Sequence, residues 1–129
     1  MRRTMRLATA FLVSAGLTTP ALAGDAPPAV TTNDTAIGKV LADKQGMTLY
    51  MFDEDPRGGS SCFGKCAENW PPLKASGNAG PIGDFTIITR QDGIAQWAYK
   101  GKPLYLWVRD KAPGETSGDG VRGWQAARP

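Results

Sequence analysis

The chain contains no histidine. That removes the usual general base, any nucleophile activated by an imidazole, and the commonest ligand for zinc, copper and iron. Neither a Gly-x-Ser-x-Gly elbow nor a phosphate-cradling glycine loop stands in its place. Cysteine is scarce as well: Cys62 and Cys66 are the only two, and their spacing excludes a C-x-x-C redox motif and a C-x-x-C-H haem attachment site. Long apolar runs are also missing. The longest, from Leu7 to Leu17, covers about 11 residues, where a transmembrane helix needs about 20.

That run has a different meaning in its setting. Arg2, Arg3 and Arg6 precede it, and Thr18-Thr19-Pro20-Ala21-Leu22-Ala23 follows it with a small-x-small ending. The order is that of a secretory signal peptide, residues 1–23, cut between Ala23 and Gly24. The apolar residues expected directly after a twin-arginine pair are absent, so ordinary secretion is expected. Cleavage also changes the charge balance. Removing Arg2, Arg3 and Arg6 from 15 basic residues leaves 12, against 12 acidic residues that all remain. The formal +3 therefore belongs to the signal, and nucleic acid is excluded as a partner.

Glycine and proline are plentiful, 16 and 10 of 129 residues, which favours turns over long helices. Residues 24–36 are small, polar and proline-containing and read as a flexible tether, with a single domain, residues 37–129, expected to begin near Ile37. Within it the chain repeats. A shift of 55 residues lays Gly38 on Gly93, Gly46 on Gly101, Leu49-Tyr50 on Leu104-Tyr105, Phe52 on Trp107 and Asp55 on Asp110, with Trp70 and Trp124 following at nearly equal distances. Two units result, about 37–73 and 85–127.

Each unit reads as a hairpin. Ile37–Ala42 turns through Asp43–Gly46 into Met47–Phe52, and Ile94–Tyr99 turns at Lys100-Gly101 into Pro103–Val108. Phe85–Thr89 joins the second through Asp92-Gly93. The period of two puts Tyr50 and Phe52 on one face and Leu49 and Met51 on the other. Tyr105 and Trp107 repeat this against Leu104 and Leu106. Both faces are apolar, so these strands are either buried on both sides or offer an aromatic face for binding, for which Trp97, Tyr99, Tyr105 and Trp107 are the candidates. One short helix, Cys62–Asn69, is predicted after a Ser60 or Ser61 cap and before Pro71-Pro72. The expected fold is all-β: a small antiparallel sandwich or barrel made of two duplicated hairpin units, with one short helix in the connecting loop.

The motif residues Tyr50-x-Phe52-x-x-Asp55 and Tyr105-x-Trp107-x-x-Asp110 resemble those of a bacterial secreted-repeat family with a Tyr-x-(Phe/Trp/Tyr)-x-x-Asp motif, often described as predicted lipoproteins. The resemblance runs through Ser61–Ala67, Trp70–Leu73, Gly93, Trp97-x-Tyr99, Gly101-x-Pro103-Leu104-Tyr105 and Pro113-Gly114. It implies a location in the bacterial cell envelope and carries no settled activity. Gly24, where a lipoprotein would have its lipidated cysteine, departs from the pattern, so a periplasmic or secreted form without a lipid anchor is expected.

Few residues suggest chemistry. In an oxidising compartment Cys62 and Cys66 are most simply a disulfide; a redox pair or thiolate metal ligands are the alternatives. With Met47 and Met51, reduced thiols would make a soft site suited to Cu(I), the basis of an alternative reading as a periplasmic redox or copper-handling protein. Asp53–Gly58 opens like a calcium loop but lacks the acid at its twelfth position. Asp55 and Asp110, where strands end, are expected to cap turns, and Tyr50 and Tyr105 to be packed. No catalytic residue, metal or cofactor is predicted. The expected function is a non-catalytic binding or interaction module whose partner is an envelope protein or a small ligand.

Overall fold

The computed structural model describes residues 24–129; the expected signal peptide, 1–23, lies outside the described residues. Seven strands and one helix follow in the order β1 Val30–Thr35, β2 Gly38–Asp43, β3 Tyr50–Phe52, α1 Lys65–Asn69, β4 Phe85–Thr89, β5 Ala95–Tyr99, β6 Lys102–Pro103 and β7 Trp124–Ala126. All pairing is antiparallel: β1 with β2, β3 with β7, and β4-β5-β6 as a three-stranded sheet. The fold is all-β, with two related units and one short helix, as the periodicity predicts.

The tether is the first correction. Val30–Thr35, inside the stretch 24–36, is a strand paired along its whole length with β2, and Val30 is buried. Val30, Thr31, Thr32 and Thr35 are β-branched and favour extended backbone despite the polarity of the segment, and β2 has an edge to cover. The helix is the second. It spans Lys65–Asn69 only, following Gly64 at φ 58°, and no side chain caps it. Ser60 and Ser61 are engaged elsewhere, as described below. The turn between β5 and β6 is as expected: Lys100 and Gly101 both have positive φ, 49° and 83°, the backbone a two-residue I′ hairpin turn requires.

The duplication is intertwined. Tyr50 and Tyr105, equivalent residues of the two repeats, exchange both backbone hydrogen bonds, at 2.8 and 2.9 Å. Around each, three segments close a ring of backbone bonds. Leu41 N–H donates to Ala127, Ala127 to Leu49, and Leu49 to Leu41. In the other repeat Trp97 donates to Leu73, Leu73 to Leu104, and Leu104 to Trp97. Each ring takes two segments from one repeat and its third from the other, so each repeat gives its last segment, around Leu73 or Ala127, to its neighbour. β3 therefore has β7 as its main partner, with only one bridge, Ala42–Thr48, inside its own hairpin.

The period of two then sorts the core. Leu49, Leu104, Met51 and Leu106 face one apolar cluster, with Leu41, Leu73, Phe85, Trp97 and Tyr99. Tyr50, Tyr105, Phe52 and Trp107 face a second, with Trp70, Trp124, Val40 and Cys62. Strands apolar on both faces are thus buried on both sides.

Candidate functional site

The second cluster has a definite geometry. Four rings form a column: Phe52 on Trp124 with centroids 4.4 Å apart, Trp124 on Trp70 at 3.9 Å and nearly parallel (2°), and Trp70 on Trp107 at 4.0 Å. Repeat-equivalent residues occupy equivalent places on either side of its centre. The two tyrosines stand edge-on to it, Tyr50 against Trp70 at 5.3 Å and Tyr105 against Trp124 at 5.0 Å, the edge-to-face arrangement that ring quadrupoles favour. Phe52 and Trp107, at the ends, are half-buried.

The motif aspartates meet the tyrosines crosswise. Tyr50 Oη donates to Asp110 Oδ2 at 2.5 Å, and Tyr105 Oη donates to Asp55 Oδ2 at 2.6 Å. Each carboxylate spends its other oxygen on the loop that follows it: Asp55 Oδ1 accepts from the backbone N–H and hydroxyl of Ser61, and Asp110 Oδ1 from those of Ser117. The expected turn-capping role is present, joined to a bond that ties one repeat to the other. Burial, with the adjacent carboxylate adding to it, pushes both phenols well above the ordinary tyrosine range.

A polar network branches from the first of these locks. Ser60 Oγ lies 2.7 Å from Tyr105 Oη and accepts from Arg90 Nη1 at 2.9 Å. Arg90, 3% exposed, also donates to Gln96 Oε1, to the Cys62 carbonyl and to Asp92. Its guanidinium holds the Asp92 carboxyl below the usual carboxylate range. Nothing in the repeat pattern singles out Arg90; its place just before the Asp92-Gly93 turn was the only signal. Cys62 and Cys66 form a disulfide, and Cys62 is fully buried beside the aromatic column.

The four residues predicted as one aromatic binding face are divided. Trp97 and Tyr99 belong to the first cluster, Tyr105 and Trp107 to the second, and only Trp107 is more than marginally exposed. The reason is the period of two: Trp97 and Tyr99 alternate with Ala98 on β5, whereas Tyr105 and Trp107, in the extended segment after β6, alternate with Leu104 and Leu106 and point to the other cluster. The soft metal set is likewise not assembled: both sulfurs are bonded to each other, and Met51 packs against the opposite cluster.

Trp97 does reach a surface feature. Two adjoining hollows, of about 480 and 360 Å³, share Pro28, Ala79 and Trp97. The larger adds Ala29, Ser76, Lys44 and Lys74; the smaller adds Pro27, Pro81 and Ile82. The cleft lies between the N-terminal prolines and the segment joining the repeats, neither of which the sequence pattern marks as functional.

Segments exchanged between duplicated units, locked by crossed Tyr–Asp pairs around an aromatic column, define a small all-β repeat protein. The chain belongs to the family described as a secreted repeat of unknown function, Lipoprotein_15, whose model matches residues 31–74 and 86–128, one match for each repeat. No curated protein and no solved structure matches the chain. No helix among the described residues is long and apolar enough to cross a membrane.

Proposed function

We propose that the protein is an exported, non-catalytic binding module, cut after Ala23, released into the periplasm or medium without a lipid anchor, and carrying its ligand site in the Trp97 cleft. One observation carries the reading: an apolar floor of Trp97, Pro28, Ala29 and Ala79 beneath Lys44 and Lys74, the charged residues that line the larger hollow among those described. Proline and tryptophan give rigid apolar contact with little entropy left to lose on binding. Lysines at the rim supply charge where solvent still reaches it. The fitting occupant is a small ligand with a ring-shaped apolar body and one anionic group. A non-catalytic role is supported by the engagement of Asp55 and Asp110 in structural locks.

The test uses two fluorescent probes. Anilinonaphthalene sulfonate has an apolar body with one sulfonate; N-phenyl-1-naphthylamine has the same body without it. The sulfonate should bind saturably and more weakly in high salt, because charge at an exposed rim is screened. The double variant Lys44→Glu/Lys74→Glu should weaken it about tenfold, equivalent to ~1.4 kcal/mol, and leave the neutral probe unchanged. Equal binding of both probes, or no response to the double variant, overturns the reading.

A further inference from the structure

We propose that the aromatic column is a relay for one-electron oxidation, carrying a hole from Trp107 at the surface through Trp70 and Trp124 to Tyr50 and Tyr105, each of which releases its proton to the aspartate of the other repeat. This goes beyond the binding reading and does not depend on the cleft.

Three features of the column support it together. The rings touch: Trp107 on Trp70 at 4.0 Å and Trp70 on Trp124 at 3.9 Å, so π overlap is unbroken from the half-buried end to the centre. The tyrosines are next in line, 5.3 Å from Trp70 and 5.0 Å from Trp124. And each phenol has a proton acceptor in place. An oxidised tyrosine holds its hole only if the hydroxyl proton can leave, and here Asp110 and Asp55 carboxylate oxygens already accept from the two hydroxyls at 2.5 and 2.6 Å. Close packing alone would require none of this; phenylalanine and leucine would fill the same volume without bringing two carboxylates toward the core.

Charge sets the direction. The Arg109 guanidinium lies 5.8 Å from the Trp107 ring and disfavours a hole at the surface end. The two buried carboxylates favour one inside. The column also has an entrance at one end only, since Phe52, where the other repeat has Trp107, is far harder to oxidise.

The balance is simple. A diffusible one-electron oxidant, such as a peroxide-derived radical, takes one electron from Trp107 and is reduced by it. Electrons step outward along the column until a tyrosine is oxidised; its O–H bond breaks, the proton forms an O–H bond on the aspartate, and a neutral tyrosyl radical faces a carboxylic acid. A one-electron reductant of the thiol or ascorbate class returns the electron, and the aspartate returns the proton.

Flash-generated tris(bipyridine)ruthenium(III) is the oxidant probe, applied to the intact mature chain, with transient absorption and electron paramagnetic resonance as readouts. The folded protein should show a tryptophan radical decaying into a tyrosyl radical that outlives the one formed in urea, with a slower second step in deuterated solvent. Trp107→Phe, which keeps a ring at the end of the stack, should lower the tyrosyl yield. Tyr50→Phe/Tyr105→Phe, which leaves Tyr99 as the remaining tyrosine, should abolish the long-lived signal and leave the tryptophan radical. Should the double variant unfold, Trp107→Phe and the isotope effect decide the matter. An undiminished tyrosyl yield in Trp107→Phe, or a radical no longer lived in the folded protein than in urea, overturns the proposal.

Discussion

The crossed locks make a prediction that distinguishes this fold from a pair of independent hairpins. Tyr50 lies five residues from Asp55 in sequence yet bonds to Asp110; Tyr105 lies five from Asp110 yet bonds to Asp55. Tyr50→Phe leaves Asp110 Oδ2 without its hydroxyl donor and removes the acceptor for the Gly118 N–H. Tyr105→Phe strands Asp55 Oδ2 and the Ser60 hydroxyl. A hydrogen bond to a buried charged group contributes about 1.5–3 kcal/mol, with the unpaired partner adding to the loss, so each variant should lose about 2–3 kcal/mol, or roughly 8–20 °C in Tm for a domain of this size. Urea unfolding followed by tryptophan fluorescence measures the loss, and double-mutant cycles locate its partner. Tyr50→Phe with Asp110→Asn should show a coupling of about 1–3 kcal/mol, whereas Tyr50→Phe with Asp55→Asn should add to within about 0.5 kcal/mol. Tyr105 should show the mirror pattern. Coupling within a repeat rather than across it would refute the exchanged architecture.

Other outcomes follow from the same contacts. Because both phenols are held above the ordinary tyrosine value, the unfolded chain loses their protons first as pH rises past about 10. It then binds fewer protons than the folded chain, so stability is complete below that pH and falls above it, by about 1.4 kcal/mol per pH unit for each tyrosine; Tyr50→Phe should remove about half of that slope in urea titrations above pH 10. A Cβ on Gly118 would lie 2.8 Å from the Trp70 ring and 2.9 Å from that of Tyr50, so Gly118→Ala should cost about 1–3 kcal/mol by overpacking, while Gly77→Ala, with open space around it, should leave the melting temperature unchanged. Reducing the Cys62–Cys66 disulfide frees a loop of sequence separation 4, which should lower stability by only about 2 kcal/mol and leave a folded protein by circular dichroism. A protease site placed at the exposed Gly77-Asn78 pair should give, on cutting, two fragments that still elute together, because each ring of backbone bonds draws on both.

Much of the fold was legible in the sequence because the duplication fixes it. Leu49-Tyr50 and Leu104-Tyr105 repeat with their alternation intact, and that alternation correctly separates the two clusters. The turn at Lys100-Gly101 and the strand Phe85–Thr89 follow from local signals that tertiary packing had no reason to override. What could not be read is the exchange. A repeat pattern states that two segments are alike and says nothing of whether each pairs with itself or with its copy, since both pairings bury the same side chains. The strand at Val30–Thr35 was hidden for a related reason: its polar residues sit on an edge pair and are stabilised by β2 rather than by burial. Arg90 was illegible because a buried arginine looks like any surface arginine until Ser60, Gln96 and the Cys62 carbonyl converge on it.

The departures from symmetry carry more information about function than the symmetry does. Duplication accounts for the column, the rings and the locks, so wherever the copies agree, packing is a sufficient explanation. At the ring positions, Leu41 is fully buried in one repeat, while its counterpart Trp97 reaches a surface cleft in the other. Arg128, counterpart of Lys74, folds back to donate to the Ile37 carbonyl at 2.8 Å over Gly38, whereas Lys74 lines the cleft. At the column ends Phe52 faces Trp107. In the loops a buried half-cystine, Cys62, stands where Gly118 lies against the rings. Three of these four differences fall in the cleft, at Trp97 and Lys74, or at the entrance of the column, at Trp107. A protein with symmetric versions of both, Trp97→Leu and Trp107→Phe, should still fold, at a cost of about 1–3 kcal/mol for the volume lost at buried Trp97, and should lose the probe binding and give a diminished tyrosyl yield; an undiminished response of either kind would assign that feature to packing alone.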